Sequence, residues 1–242
     1  MERESSTARV VLFDIDGTLL HAGSLPRRAF GAALREVFGT GGTVADHDFA
    51  GKTDFQIARE ILEVAGVSRA RIEGSLPALM ESYLGRLEAG LGDPHARPRV
   101  LPGVVDLLDA LAGRSACALG LLTGNLARGA ELKLAAAGLG GRFAFGAFGS
   151  DSEHRPDLPA VAVRRARALG LRVGATVVVG DTPLDVACGA HAGAWTVAVA
   201  TGPYEAERLR HAGADVVLPD LADTGRSLDA IFGGGPGPPA VP

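Results

Sequence analysis

A short apolar run near the start of the chain leads directly into two acidic residues: residues 9–18 read RVVLFDIDGT. The run is rich in strand-forming residues and ends at Asp14, which predicts a buried strand of a parallel sheet. Further apolar runs follow at residues 116–122, 175–179, 195–200 and, more weakly, 214–218. Stretches with helical apolar spacing lie between them, at residues 103–112, 126–137, 158–169, 183–191 and 204–211. This alternation predicts an α/β fold with a doubly wound parallel sheet.

One long segment, residues 20–98, interrupts the alternation. A structureless loop of that length is uncommon inside a compact domain. Helical apolar spacing recurs within it, at residues 27–37, 55–64 and 76–87. We therefore predict a second, smaller helical domain at 20–98, inserted into an α/β core of residues 9–19 and 99–232. Residues 1–8 and the Gly/Pro-rich residues 233–242 are predicted to be flexible tails.

Charge and hydropathy exclude several classes of partner. The formal net charge is −4 and no run of Lys or Arg stands out, so a nucleic-acid partner is not expected. No apolar stretch is long enough to span a bilayer, so no membrane partner is expected. The polar N-terminus before the first strand is too short for a signal peptide, which favours a cytoplasmic location.

Polar side chains follow three of the predicted strands, where each strand ends. Ligands of parallel α/β sheets bind beyond the carboxyl ends of the strands. The residues at these ends are Asp14 with Asp16, Thr123 with Asn125, and Asp181 with Asp185. If these strands are neighbours, the side chains converge on one crevice.

The first motif, Asp14-Ile15-Asp16-Gly17-Thr18, places two carboxylates where they can flank one reacting group. Asp14 could attack phosphorus while Asp16 protonates the leaving oxygen. Gly17 permits the turn that follows the strand. A plain Asp-Gly turn is the alternative interpretation, and it explains Asp16-Gly17 but not Asp14 at the end of a buried run.

The second and third motifs supply anion and cation ligands. Thr123 offers a hydroxyl, and Gly124 and Asn125 offer backbone N–H groups at a helix N-terminus, which suits a phosphate group. Asp181 follows a strand directly and offers carboxylate oxygen to Mg²⁺, with Asp185 one turn later as a second ligand or an anchor for the first. Helix capping is the alternative interpretation of both motifs.

A further short motif, Gly51-Lys52-Thr53, resembles the end of a phosphate-binding P-loop. The full pattern requires a glycine five residues before Gly51, and Asp46 stands there instead. No clear strand precedes the motif. We therefore exclude an NTPase.

Taken together, the motifs resemble those of the haloacid dehalogenase (HAD) superfamily, and specifically its phosphatase branch with a helical cap, of the phosphoglycolate-phosphatase type. The resemblance covers roughly residues 9–218 and implies a Rossmann-like core. It implies Asp14 as nucleophile, Asp16 as general acid/base and Thr123 on the transferring phosphoryl group. It also implies Mg²⁺ held by the Asp14 carboxylate, the Asp16 backbone carbonyl and Asp181.

The chain departs from the family pattern at one position. Relatives usually carry a lysine, often as Lys-Pro, before the helix that precedes the third acidic motif, and Arg155 occupies that place here. By sequence position neither Lys52 nor Lys133 can be that residue. Arginine keeps the charge that would neutralise an Asp14–phosphate pair and can grip phosphate with two N–H groups. We therefore expect Arg155 to be catalytic.

The resemblance gives the rejected P-loop motif another role. In capped relatives a similar stretch lies in the cap and faces the active site, so Gly51, Lys52, Thr53 and Asp54 are candidate substrate-selecting residues. A plain loop in which Thr53 or Asp54 caps the next helix is the alternative.

These observations predict Mg²⁺-dependent hydrolysis of a small phosphorylated metabolite through an aspartyl phosphate. A sugar-phosphate mutase on the same scaffold is the nearest alternative. A dehalogenase fits less well, because Asp16 has a role in a phosphatase and those hydrolytic dehalogenases work without metal. A non-catalytic binding module of the same fold is the third alternative. The sequence leaves open whether the protein is a monomer or a homodimer.

Overall fold

A parallel sheet forms the centre of the molecule in the computed structural model, which describes residues 7–233. Within those residues the sheet has six strands in the order β5-β4-β1-β6-β7-β8, and every neighbouring pair is parallel. Strands β2 and β3 form a separate antiparallel pair. In chain order the strands are β1 (Ala8–Phe13), β2 (Leu20–His21), β3 (Arg99–Val100), β4 (Cys117–Thr123), β5 (Phe145–Phe148), β6 (Val173–Gly180), β7 (Trp195–Val199) and β8 (Val216–Leu218).

Helices cover both faces of this sheet and form the inserted segment. In chain order they are α1 (Leu25–Phe38), α2 (Asp54–Val64), α3 (Arg69–Leu91), α4 (Val104–Ala112), α5 (Ala127–Ala136), α6 (Leu158–Ala168), α7 (Pro183–His191), α8 (Ala206–His211) and α9 (Thr224–Phe232). Short 3-10 turns lie at Pro94–Ala96 and Arg155–Asp157. Within residues 7–233, no helix combines the length and the apolar character needed to cross a membrane.

The apolar run of β1 forms a strand because both of its faces are buried. Successive side chains of a strand point to opposite faces of the sheet. Val11 and Phe13 pack into a cluster with residues of α4, α5 and α9, whereas Val10 and Leu12 pack into a second cluster with α6. The predicted doubly wound α/β fold is therefore confirmed.

The three inserted helices pack around an apolar cluster of their own. That cluster includes Phe30 of α1, Ile61 of α2 and Tyr83 of α3. The chain leaves the core through β2 and returns through β3, which pair side by side. Helix α3 begins at Arg69 rather than at residue 76, because a buried stripe at helical spacing already starts at Ile72 and continues through the helix.

Some elements were not predicted from the sequence. Strand β5 has only four residues, one of them a glycine, so its periodic signal is weak. Helix α9 was also missed. Ala8 belongs to β1, whereas residues 1–8 were predicted to be a tail. The rest of the predicted tails, apart from residues 7 and 233, lies outside the described residues.

Candidate active site

The three predicted strand-end motifs meet at one edge of the sheet. β1 lies between β4 and β6, so Asp14, Thr123 and Asp181 follow neighbouring strands. The backbone N–H of Asp14 continues the ladder, donating to the carbonyl of Val179 at 2.9 Å. A cavity of about 600 Å³ lies between this edge and the inserted helices, and all three residues line it.

Three carboxylates lie close together beside this cavity, which Asp14 and Asp181 line. Asp14, Asp181 and Asp185 are buried, and each offers an oxygen that lies within 4.8 Å of the other two. Burial raises the pKa of Asp14 to about 7; the charge of Asp185 adds to the rise and that of Arg155 opposes it. Burial and the charge of Asp14 also raise the pKa of Asp181 well above its usual range. A bound cation would therefore stabilise the charged form of these carboxylates.

The loop after β1 wraps closely around Asp181. The hydroxyl of Thr18 donates to Oδ1 of Asp181 at 3.0 Å. Gly17 has φ +87°, and a Cβ at Gly17 or at Gly202 would overlap the Asp181 carboxylate. The glycine of the first motif is thus needed both for the turn and for the approach of this carboxylate.

Arg155 lies beside the acidic cluster. Its Nη2 donates to Oδ1 of Asp14 at 3.0 Å and also to Oδ1 of Asp185. Its buried Nε has no hydrogen-bond partner among residues 7–233. Asp185 in turn accepts from the backbone N–H and the hydroxyl of Thr182, at 3.0 and 2.7 Å, in a capping box at the start of α7. Asp185 therefore orients Arg155 as well as joining the acidic cluster.

Asp16 is not one of the three clustered carboxylates, and two other side chains hold it. Its Oδ2 accepts a hydrogen bond from Nζ of Lys133 at 2.6 Å and one from Nδ2 of Asn125 at 2.8 Å. Asn125 accepts from Lys133 at 2.7 Å and donates to the hydroxyl oxygen of Thr123 at 2.8 Å. The second motif thus contributes side-chain contacts to Asp16 as well as backbone N–H groups.

Lys133 is the site residue that sequence reasoning missed. Its position after the second motif ruled it out as the usual family lysine, but α5 carries it back to the cavity. A usable signal existed, because Lys133 lies on the buried face of α5 with small and apolar residues: Gly129, Ala130 and Leu134. A lysine on such a face requires a partner, which the sequence did not identify.

The inserted segment closes over the second motif. The backbone N–H of Asp54 donates to the carbonyl of Gly124 at 2.9 Å, and the Asp54 carboxylate accepts from the N–H of Leu126 at 2.8 Å. A Cβ on Gly124 would overlap the backbone carbonyl of Lys52. Burial raises the pKa of Asp54 to about 6.

The predicted substrate-selecting residues divide into two groups. Gly51 and Lys52 line the cavity, and Nζ of Lys52 pairs with Glu60 at 2.5 Å. Thr53 is fully buried, caps α2 by accepting from the N–H of Gln56 at 3.2 Å, and donates to the carbonyl of Glu153 at 3.0 Å. The alternative interpretation of Thr53 as a helix cap thus describes its contacts.

Two family models match the chain. The model for haloacid dehalogenase-like hydrolases matches residues 11–190, and a HAD-hydrolase-like model matches residues 158–224. A phosphoglycolate phosphatase from Rhodospirillum rubrum is 32% identical over 90% of this chain and 89% of its own length. A second phosphoglycolate phosphatase, from Synechococcus elongatus, is 30% identical over 89% of this chain and 94% of its own.

Solved structures resemble the whole fold. A hydrolase from Pseudomonas syringae superposes with a TM-score of 0.69 and 24% identity, covering 93% of this chain and 98% of its own. CbbY from Rhodobacter sphaeroides, solved in complex with phosphate, has a TM-score of 0.64 and 22% identity, covering 89% and 96%. These likenesses bear on the fold alone.

Proposed function

The chain belongs to the haloacid dehalogenase-like hydrolases, in their phosphoglycolate-phosphatase-like branch, and is a phosphatase; from this premise we propose that it hydrolyses a small phosphate monoester with Asp14 as covalent nucleophile and Mg²⁺ as cofactor. One observation carries the proposal. The buried carboxylate of Asp14 belongs to the acidic cluster, accepts a hydrogen bond from the Arg155 guanidinium and lines a cavity large enough for a small ester.

The donor set suits Mg²⁺. Mg²⁺ is bound in proteins through one or two carboxylates plus water and phosphate oxygens, and the cluster here offers carboxylate oxygen alone. We propose Asp14 and Asp181 as its carboxylate ligands, with the Asp16 backbone carbonyl as a third and Asp185 as a further ligand or an anchor. When bound, the ion would neutralise charge on the acidic cluster and on the phosphoryl group.

The proposed cycle has two proton-coupled steps. An oxygen of Asp14 bonds to phosphorus while the bond to the ester oxygen breaks, and Asp16 gives that oxygen a proton. Asp16 then takes a proton from water, whose oxygen bonds to phosphorus as the bond to Asp14 breaks. Separate partners for Asp14 and Asp16 support this division of roles, because Asp14 faces Arg155 and Asp16 faces Lys133.

The remaining site residues stabilise charge on the phosphoryl oxygens in this proposal. Thr123, Gly124, Asn125 and Arg155 all line the cavity in which those oxygens would lie, and the N–H of Asn125 already donates to the Thr123 hydroxyl at 3.3 Å. Arg155 lines the cavity and brings a positive charge to it. Such prearranged donors supply much of the rate gain in phosphoryl transfer.

We further propose that residues 20–98 act as a cap that selects the leaving group. Gly51 and Lys52 line the cavity, Gly51 packs closely against Thr182, and the segment contacts the second motif through Asp54. The Lys52 ammonium is already paired with Glu60, so it would favour a polar rather than a strongly anionic group nearby. The substrate itself would be a small phosphorylated metabolite.

Phosphate release is the test of this proposal. Purified protein is incubated with p-nitrophenyl phosphate, 2-phosphoglycolate and a panel of sugar phosphates, with Mg²⁺ or with EDTA. We expect release that requires Mg²⁺ and disappears in Asp14→Asn. Isomerisation of a sugar phosphate without net release would replace the proposal with the mutase, and release from folded Asp14→Asn would overturn the nucleophile assignment.

A further inference from the structure

We infer that Lys133 is the positioning residue for Asp16, holding this carboxylate at the leaving oxygen and apart from the acidic cluster. The inference rests on the proposed function and deepens it. Asp16 lies two residues after the nucleophile Asp14, in a turn whose backbone is held by a bridge between Asp16 and Leu20, so the backbone is fixed there while the carboxylate can still rotate about its side-chain bonds. A carboxylate so placed needs an external partner to keep one orientation.

The contacts around Asp16 provide that partner. Both of its hydrogen bonds go to Oδ2, one from Lys133 and one from Asn125. Lys133 also donates to Asn125, so the three groups form a closed triangle. No residue among 7–233 donates to Oδ1, which is therefore the oxygen left for proton transfer. A side chain held at one oxygen and free at the other is oriented for that task.

Burial separates this role from a purely structural one. The Lys133 side chain is 3% exposed, whereas that of Asp16 is 40% exposed. An ammonium group is costly to bury, and an apolar residue of similar size usually stabilises such a position at least as well. The face of α5 around Lys133 is small and apolar, so an unbranched apolar side chain suits it. The charge therefore serves the neighbouring carboxylates, Asp16 by direct contact and Asp54 through space, rather than the packing.

The arrangement also distinguishes Lys133 from a phosphate ligand. Arg155 already occupies the donor position beside Asp14, whereas Lys133 donates to Asp16 and Asn125. A phosphate ligand would assist every ester equally. A residue that positions the proton donor would assist most where the leaving oxygen needs a proton. Leaving groups of different acidity thus separate the two roles.

The experiment compares phenyl phosphate with p-nitrophenyl phosphate, which share a ring but differ in leaving-group acidity. The value of kcat/KM reports the steps up to departure of the leaving group. The ratio of the kcat/KM values for the two esters, measured on one sample, does not depend on the fraction of protein that is folded. In Lys133→Met we expect kcat/KM for phenyl phosphate, divided by kcat/KM for p-nitrophenyl phosphate, to fall about tenfold or more.

Two controls accompany the variant. Arg128→Met removes a cation of the same helix that pairs with Glu88 and Glu131 at the surface, and it should leave the ratio unchanged. Lys133→Cys treated with 2-bromoethylamine restores an ammonium group at nearly the same length, and it should recover the ratio. The wild type is treated in parallel, because the chain also contains Cys117 and Cys188.

The outcomes are distinct. A ratio that is lowered in Lys133→Met and in untreated Lys133→Cys, and that aminoethylation of Lys133→Cys restores, supports the inference. An unchanged ratio overturns the inference, even if both kcat/KM values fall together, but it does not contradict the proposed function. A wild type that releases phosphate neither from these two esters nor from 2-phosphoglycolate or the sugar phosphates overturns the proposed function itself.

Discussion

Nη2 of Arg155 lies 3.0 Å from Oδ1 of Asp14, although 141 residues separate the two in the sequence. The same nitrogen also donates to Asp185. One cation thus faces two carboxylates in a buried place, where an unpaired charge is costly. We interpret this contact as the charge balance that keeps Asp14 available for attack.

This contact predicts different results for two substitutions of Arg155. Arg155→Met removes the cation, and we expect kcat to fall by about 10²–10³-fold, as for the loss of one oxyanion donor. Arg155→Lys keeps a positive charge on a shorter side chain and should retain more activity than Arg155→Met. Phosphate release from p-nitrophenyl phosphate measures both. Equal losses in the two variants would contradict a role for the charge.

The raised pKa of Asp14 predicts a gain in stability when the residue is neutralised. A carboxyl whose pKa is raised from 3.8 to about 7 in the folded state keeps a proton that the unfolded chain loses. The stability of the metal-free protein should therefore fall as pH rises from about 4 to 7. Asp14→Asn removes this dependence, so its Tm at pH 8 should exceed that of the metal-free wild type.

Metal addition provides the control for that prediction. Mg²⁺ should raise the Tm of the wild type, because it binds the folded state, and should raise that of Asp14→Asn less. Thermal melts with Mg²⁺ and with EDTA measure both effects. If Asp14→Asn had the Tm of the wild type and showed the full rise in Tm with Mg²⁺, both the cost of the buried Asp14 charge and the assignment of Asp14 as a metal ligand would be contradicted.

Asp54 predicts a pH dependence that lies outside the acidic cluster. Burial raises its pKa to about 6, and the charge of Lys133 opposes this rise. As with Asp14, the folded state keeps a proton on Asp54 that the unfolded chain loses. Because of Asp54, the free energy of unfolding should be about 3 kcal/mol lower above pH 6 than below pH 4. Asp54→Asn keeps an oxygen that can accept from the N–H of Leu126 and should be more stable than the wild type at pH 7.

Urea unfolding at pH 4 and pH 7 measures the effect of Asp54→Asn. The matched control is Asp223→Asn, which makes the same chemical change at the N-cap of α9. A stability difference between Asp54→Asn and the wild type that is the same at both pH values would contradict the prediction.

The position of Gly124 predicts that the inserted segment can close over the second motif only if residue 124 has no side chain. A Cβ there would overlap the backbone carbonyl of Lys52, which a rotamer change cannot relieve. Gly124→Ala should therefore lower kcat/KM while the rest of the core remains folded. Gly85→Ala is the matched control: its Cβ meets nothing within 4 Å, and alanine should stabilise α3 by about 0.5–1 kcal/mol. Full activity in Gly124→Ala would exclude this contact from function.

The sequence revealed the parts of the site whose signals are local. Asp14, Thr123 and Asp181 each end an apolar run, so the order of residues alone places them at the carboxyl ends of parallel strands. Lys133 does not end an apolar run, and its contact with Asp16 depends on how α5 packs against α3 and β5 in the folded molecule. The same holds for Asp54, which reaches the second motif only once the inserted helices fold back onto the core.

The fold shows the same division. Long apolar runs such as β1 and β6 were predicted within a few residues, since their burial on both faces leaves a strong pattern. The four residues of β5 leave no comparable pattern, and their pairing with β4 is a property of the assembled sheet. The start of α3 was placed too late, although its buried stripe begins earlier.

The central claim is that Asp14 carries the phosphoryl group, and acid quenching followed by mass spectrometry tests it most directly. Asp16→Asn is mixed with p-nitrophenyl phosphate and Mg²⁺, because this ester needs little help from a general acid while hydrolysis of the aspartyl phosphate is slowed. We predict one phosphoryl group on the peptide that contains Asp14, removable by hydroxylamine and missing in Asp14→Asn. Release of p-nitrophenol by Asp16→Asn with no phosphoryl group on Asp14, or with one at another residue, would contradict the account.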